Sequence, residues 1–353
     1  MSTAIAVTCA GLQLGATEPH TPPAHILPPA GEQSLEDALS AMRMLLDQHG
    51  YVIALYGAAV DPTARQRLHT VRSVLESDRV ALVRSDLPPL GLAVLVRQLR
   101  QLSTADLSPG VLAGAVRLLA HYVHAGALLG SVARLGRLPV PLRAHARSWL
   151  PGGRFGVLAA PVPQLVRVGG EATLEGPGYA TRLTVATGQL NGDWVTGELA
   201  DQWRVASLEP ATAPPESSRW WGTGRFVEFA AAIPDVSMLY QIVCSVRRST
   251  CHWCGLELIG DRCVFCQAPV PPARPAVTAP RAASRIKPDA TQPLPGGGPT
   301  RAVPGGDGRA LHDPAAATRP GIPAAEPATA PYDASRLTQA RTTQLGTRPT
   351  GPP

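Results

Sequence analysis

Tyr51-Val-Ile-Ala-Leu-Tyr56, then Asp61-Pro62, then Val80-Ala-Leu-Val83: this stretch sets the fold class. Both apolar runs are short and rich in β-branched or aromatic residues, which suits buried strands. Asp61 is a helix cap, and Pro62 fits the first helical position because its missing N–H would be unpaired there anyway. Leu68, Val71 and Leu75 then recur at helical spacing. Strand, helix and strand in so short a span allow one parallel βαβ unit.

Working outward, Ser34 with Asp37 forms a variant capping box, and Leu35, Leu39, Met42, Leu45 and Leu46 share a helix face that stops at Gly50. Residues 1–33 are rich in Pro, Ala and Thr and read as a flexible leader. Downstream, helices are expected from about Pro89 to Leu102, from Pro109 (capped by Ser108) to about Leu135, and from Leu142 to Leu150. Together these make a helix-rich α/β domain over residues 34–150.

From Arg154 short runs such as Phe155-Gly-Val-Leu158, Thr181-Arg-Leu-Thr-Val185 and Asp193-Trp-Val-Thr196 lie between glycines, and Asn191-Gly192 is a hairpin turn signal. Residues 151–208 read as a small antiparallel β domain and 209–218 as a linker. Residues 219–248 read as a loop and strand, then a helix capped by Asp235. Trp194, Trp203, Trp220 and Trp221 either fill the core of the small sheet or line a ligand groove.

Cys251-His-Trp-Cys254 and Cys263-Val-Phe-Cys266 follow. Two thiolate pairs with this spacing complete a tetrahedral structural metal site, with zinc the expected ion. Each turn points backbone amides at sulfur, and Gly255 suits the left-handed residue such turns need. Gly255 to Arg262 is expected to form a hairpin bending at Gly260-Asp261. Residues 249–269 resemble the short zinc ribbons of bacterial proteins, with Gln267 where a second glycine often stands. Four thiolates leave no open position for substrate, so the ion would staple a small fold. His252, Trp253 and Phe265 are the candidate interface residues projecting from the knuckles. Of the other cysteines, Cys244 reads as a buried small hydrophobe and Cys9 has no evident partner. His121 and His124 share a helix face without a carboxylate to complete a metal site.

Residues 270–353 hold few large apolar groups and read as a disordered tail. Its glutamines each follow a threonine: Thr291, Thr338 and Thr343. These look like threonine sites of bacterial serine/threonine kinases read by forkhead-associated domains, so phosphorylation there is the resemblance's implication.

Of the net charge of +6, the tail supplies most, with ten basic and five acidic residues. The near-neutral remainder weakens a nucleic-acid reading. One lysine against 31 arginines looks like GC-rich, bacterial coding. Val111 to Val132, interrupted by Arg117, His121 and His124, reads as a buried helix and not a membrane span. No signal peptide is evident, and a cytoplasmic setting suits free thiols. Phosphate-loop, HExxH and G-x-S-x-G motifs are absent from the sequence. The fold class expected is an α+β multidomain chain: helix-rich N-terminal domain, small antiparallel β domain, zinc ribbon and disordered tail. The function expected is a non-enzymatic, zinc-stabilised adaptor binding other proteins. A nucleic-acid-binding factor and an enzyme with a pocket between the helical and β domains are the alternatives.

Overall fold

The computed structural model describes residues 2–16, 19–139 and 153–270. The predicted helix at 142–150, the tail and its three threonines lie outside them.

The chain is α/β, with mixed sheets. It runs β1 (Thr3–Val7), β2 (His25–Ile26), α1 (Leu35–His49), β3 (Tyr51–Gly57), α2 (Pro62–Val74), β4 (Val80–Ser85), α3 (Pro89–Leu102) and α4 (Pro109–Ala120). These strands form a parallel sheet in the order β2-β1-β3-β4. The predicted β3-α2-β4 unit is therefore present. Its caps hold as read: Asp61 accepts from the Thr63 N–H and Ser34 from the Asp37 N–H. Ala4, Ala6, Val52 and Ala54 face Met42, Leu46 and Val71 of the outer helices, while Ile5, Val7, Ile53 and Leu55 face α3 and α4. This alternation is what a strand period of two requires when both faces are covered.

The flexible leader is corrected. Thr3–Val7 is buried at every position and pairs on both sides, with β2 and β3. Arg100 donates to the carbonyls of Leu14 (2.8 Å) and Pro22 (2.7 Å), tying the following loop to α3.

A second sheet takes β5 (His124–Leu129), β6 (Phe155–Ala160), β7 (Gln164–Arg167), β8 (Arg182–Thr187), β9 (Ser207–Ala211) and β10 (Phe226–Ala232), in the order β7-β6-β5-β10-β8-β9. It corrects three expectations. The helix from Pro109 stops at Ala120, and the chain turns through Tyr122 into β5, so the small domain is not confined to residues 151–208. The 209–218 segment is not a linker, because β9 pairs parallel to β8 and α6 (Ser217–Trp221) follows. Asn191-Gly192 makes no hairpin: the Asn191 side chain accepts from the Asp193 N–H and opens a helical stretch, π-helical at Val195–Leu199 and then α5 (Ala200–Trp203).

All 14 residues of α3 are buried. It packs between the two sheets, sharing one core with Val7 and Leu55 of the first and Ala125, Ala186 and Ala230 of the second. Arg97 is tolerable there because Glu209 accepts from its Nη1 at 2.7 and 2.8 Å. The far face of the second sheet, including Leu128, Val227 and Phe229, is covered by Leu199 and Trp203.

Beyond β10, Asp235 caps α7 (Val236–Ser245) as expected. Then β11 (Arg248–Thr250) pairs antiparallel with β12 (Glu257–Ile259). The expected hairpin is therefore shifted: its turn is the first CxxC knuckle, and Gly260-Asp261 leads into the second.

Candidate functional site

The four cysteines come together. Their Sγ atoms all lie within 4.8 Å of one another, with Cys251–Cys266 at 3.5 Å and Cys254–Cys263 at 3.7 Å. Disulfide sulfurs would sit about 2.05 Å apart. A tetrahedron of four bonds of about 2.3 Å has edges of about 3.8 Å, so this spacing is that of a four-thiolate site. Burial pushes the Cys251 thiol up, but the amides of Cys254 and Trp253, with the sulfurs of Cys266 and Cys254, more than offset it, leaving it at about 7. Burial holds Cys254 and Cys266 up. Gly255 takes the left-handed φ of +72° its knuckle needs, and Gln267 takes +64° at the matching position of the second.

This module is docked, not projecting. Phe265 is fully buried, stacks edge-on against Tyr51 at 5.4 Å, and its carbonyl accepts from Arg72 Nη2. Ser108, the α4 cap, donates to the Glu257 carbonyl at 2.9 Å. Gly110 and Gly114 let β12 lie directly on α4: a Cβ on Gly114 would sit 2.8 Å from the Ile259 carbonyl oxygen. Two glycines four apart on one helix were the sequence signal for this close approach, and it was missed. His252 and Trp253 remain outside, Trp253 at 77% exposed. Arg248, which opens the module and is a basic group a nucleic-acid reader would use, is engaged with Glu257 at 3.0 Å.

Other sequence candidates are redistributed. His124 is on β5 while His121 ends α4, so they share no helix face. Cys244 is exposed, not buried. Cys9 donates to Glu216 at 3.3 Å, and burial with the Glu216 charge pushes its thiol up to about 12, away from nucleophilic use. Trp203, Trp220 and Trp221 fill cores.

The carboxyl ends of parallel strands are where open α/β sheets usually bind ligands. Here that crevice, bordered by Leu12, Gly57, Leu87 and Trp220, is nearly filled, with about 10 Å³ left. Next to its lining residues Pro89 and Glu216, Leu90 and Ser217 meet Glu228 of β10, which is fully buried. One carboxylate oxygen accepts from the Leu90 N–H at 3.0 Å and the other from Ser217 Oγ at 2.5 Å. Pro88 gives α3 no side-chain cap, so Glu228 supplies it from the other sheet. Burial raises its pKa to about 7 against the pull of these donors. An acid within Phe226-Val-Glu-Phe229 was the available sequence signal.

A second opening lies between α1, α2 and residues 25–28. It is a cavity of about 380 Å³ lined by Leu27, Met42, Leu45, Leu68 and Val71, with Arg67 in its wall. Arg67 Nη2 donates to the Gln33 carbonyl at 2.5 Å, while its Nε is buried without a partner. Met44 at its rim is 66% exposed.

No family model matches the chain, and no curated protein matches it. Similar solved structures include a DegV family protein from Thermus thermophilus described as binding fatty acid (13% identity; 66% of this chain, 100% of that chain; TM-score 0.47). Others are DegV from Bacillus subtilis, described as a fatty acid binding protein (10%; 66% and 100%; 0.41), and a DegV family protein from Corynebacterium glutamicum (11%; 67% and 98%; 0.43).

The expected adaptor function is corrected accordingly, and the geometry gives the physical reason. Of the three candidate interface residues, Phe265 is spent inside this chain's own core, which leaves only His252 and Trp253 of the first knuckle outside. The nucleic-acid alternative loses Arg248 to an internal ion pair. For the enzyme alternative, the crevice at the carboxyl ends of the first sheet's strands is nearly filled among the described residues. Among the described residues no helix is long and apolar enough to cross a membrane.

Proposed function

We propose that this chain is a binding protein for an amphipathic carboxylate with an apolar chain, held in shape by a four-thiolate zinc site. The observation that carries the ligand class is the α1–α2 cavity. Its lining is mainly apolar, its size lies within the range of about 300–1,000 Å³ usual for small-molecule pockets, and Arg67 in its wall has a buried N–H with no acceptor. An unsatisfied buried donor costs about 1–3 kcal/mol, which a carboxylate oxygen would remove. A chain of methylenes would cover Met42, Leu45 and Met44, at about 0.8 kcal/mol per buried CH₂.

Hexadecanoate is the first probe, and fatty acid is also what two of the similar structures are described as binding. Saturable binding is expected, weakened about tenfold or more in Arg67→Gln through loss of a charge-assisted bond, and abolished in Leu45→Glu. Absence of saturable binding to the wild type would sink the reading.

For the metal, Cys251, Cys254, Cys263 and Cys266 supply four soft donors at tetrahedral spacing, which favours zinc. The ion would stabilise the docking of β12 and Phe265 on α4 and Tyr51. One zinc per chain is expected by elemental analysis. Cys254→Ser should lose it and lower stability by several kcal/mol. A metal content unchanged by that substitution would refute the site.

A further inference from the structure

At the opposite end of the first sheet from the closed crevice, beside the first residue of β1, lies a cavity of about 590 Å³. Its walls include Thr3, His25, His49, Arg100 and Thr104. Arg100 is 2% exposed. Its Nε and Nη1 donate to the Pro22 and Leu14 carbonyls, and its Nη2 has no hydrogen-bond partner among the described residues. No carboxylate there pairs with it, whereas Arg97, one turn earlier, is matched by Glu209. Burial first, and the Arg97 charge second, push the Arg100 pKa down.

Beside it, His49 Nδ1 lies 2.9 Å from Ser2 Oγ, and His49 Nε2 is buried with no partner. The His25 ring meets the His49 ring edge-on at 5.3 Å.

A buried guanidinium without a counter-charge carries a large desolvation penalty. The dipole of the last turn of α3 offsets only a small part of it, and two carbonyls supply partial charge only. A full negative charge is missing. Asp106 lines the same cavity but is exposed, so water and salt screen it. We propose that this cavity binds the oxyanion group, phosphate or carboxylate, of a small polar molecule, with Arg100 as the ion-pairing residue and His49 Nε2 as a second donor. The volume exceeds that of a bare oxyanion and leaves room for a small molecule carrying one. This site is separate from the apolar cavity, which has its own arginine, although His25 borders both.

The test is calorimetric titration of the full chain with inorganic phosphate and, in a second arm, acetate, at ionic strength held constant with sodium chloride. Saturable binding of one or both is expected, and the tighter arm identifies the oxyanion. Arg100→Gln should weaken it at least about tenfold, since a charge-assisted bidentate contact is lost. His49→Ala should weaken it several-fold. It leaves both Arg100 carbonyl bonds in place, so it decides the matter if Arg100→Gln does not fold. Heat no greater than the chloride control in both arms overturns the proposal. So does affinity unchanged in the folded variants, which would place the anion on the basic tail. Either result leaves the hexadecanoate reading untouched, because that rests on Arg67 and Leu45.

Discussion

The two ends of α3 face the same problem, a buried ionisable side chain, and resolve it differently. At the N-terminal end, Glu228 has both oxygens engaged by Leu90 and Ser217, and the neighbouring crevice retains about 10 Å³. At the C-terminal end, Arg100 has two carbonyls and no counter-charge, beside about 590 Å³ of open space. The satisfied end joins the two sheets. The unsatisfied end keeps donors and volume in reserve, which is the arrangement a ligand can complete.

Breaking the satisfied end should cost most. Glu228→Ala removes the cap of α3, leaves the Leu90 N–H and Ser217 hydroxyl without an acceptor, and opens a void between the sheets. About 3 kcal/mol or more is expected in denaturant unfolding at neutral pH. A cost below about 1 kcal/mol would show that Glu228 does not fasten the sheets.

Glu228→Gln sharpens the same point. The amide keeps an oxygen for Leu90 and offers N–H groups to Ser217, so the fold should persist. The wild-type carboxyl binds its proton more tightly when folded (about 7) than its ordinary value of 4.5. Its contribution is therefore complete below about pH 4.5 and lost as pH rises through about 7. The stability difference, wild type minus variant, should fall between about pH 5 and about pH 8. A difference flat across that range would mean the carboxyl titrates normally.

Arg100→Met should cost less than Glu228→Ala. Two hydrogen bonds to carbonyls disappear, but so does the penalty of an unpaired buried cation, and about 1–2 kcal/mol remains in phosphate-free buffer. If Arg100→Met cost more than Glu228→Ala, the guanidinium would be chiefly a tie for residues 14–22, and the contrast between the two ends would fail.

Local signals made part of this legible in advance. The caps Ser34, Asp61 and Asp235 and the β3-α2-β4 unit follow from residues within a few positions of one another. So does the sulfur geometry, because CxxC spacing fixes each pair within one turn. What escaped is set by distant partners. Thr3-Ala-Ile-Ala-Val7 is too short and small-sided to announce a strand, and it is one only because β2 and β3 pair with it on either side. Val111 to Leu129 is apolar but for Arg117, His121 and His124, so periodicity could not show where helix gave way to strand. Glu228, Arg100 and the Arg67 cavity depend on side chains meeting across the fold, and no window of sequence contains them.

The same contrast between satisfied and unsatisfied positions recurs, on a smaller scale, in the two cysteine knuckles. Each places its following residue at positive φ, Gly255 at +72° and Gln267 at +64°. Glycine adopts this conformation freely, while a residue with a Cβ pays about 1–2 kcal/mol. Gln267 recovers some of that through its side chain, whose Nε2 donates to the Val264 carbonyl at 2.6 Å, a bond with a net value of about 1 kcal/mol. The two terms nearly cancel, so Gln267→Gly should stabilise the metal-loaded protein by less than about 1 kcal/mol, read as a small rise in the thermal midpoint. The reverse change, Gly255→Gln, gains the strain first and should destabilise. If Gln267→Gly instead destabilised by more than about 1 kcal/mol, the Val264 bond would outweigh the backbone, and the second knuckle would owe its shape to a side chain.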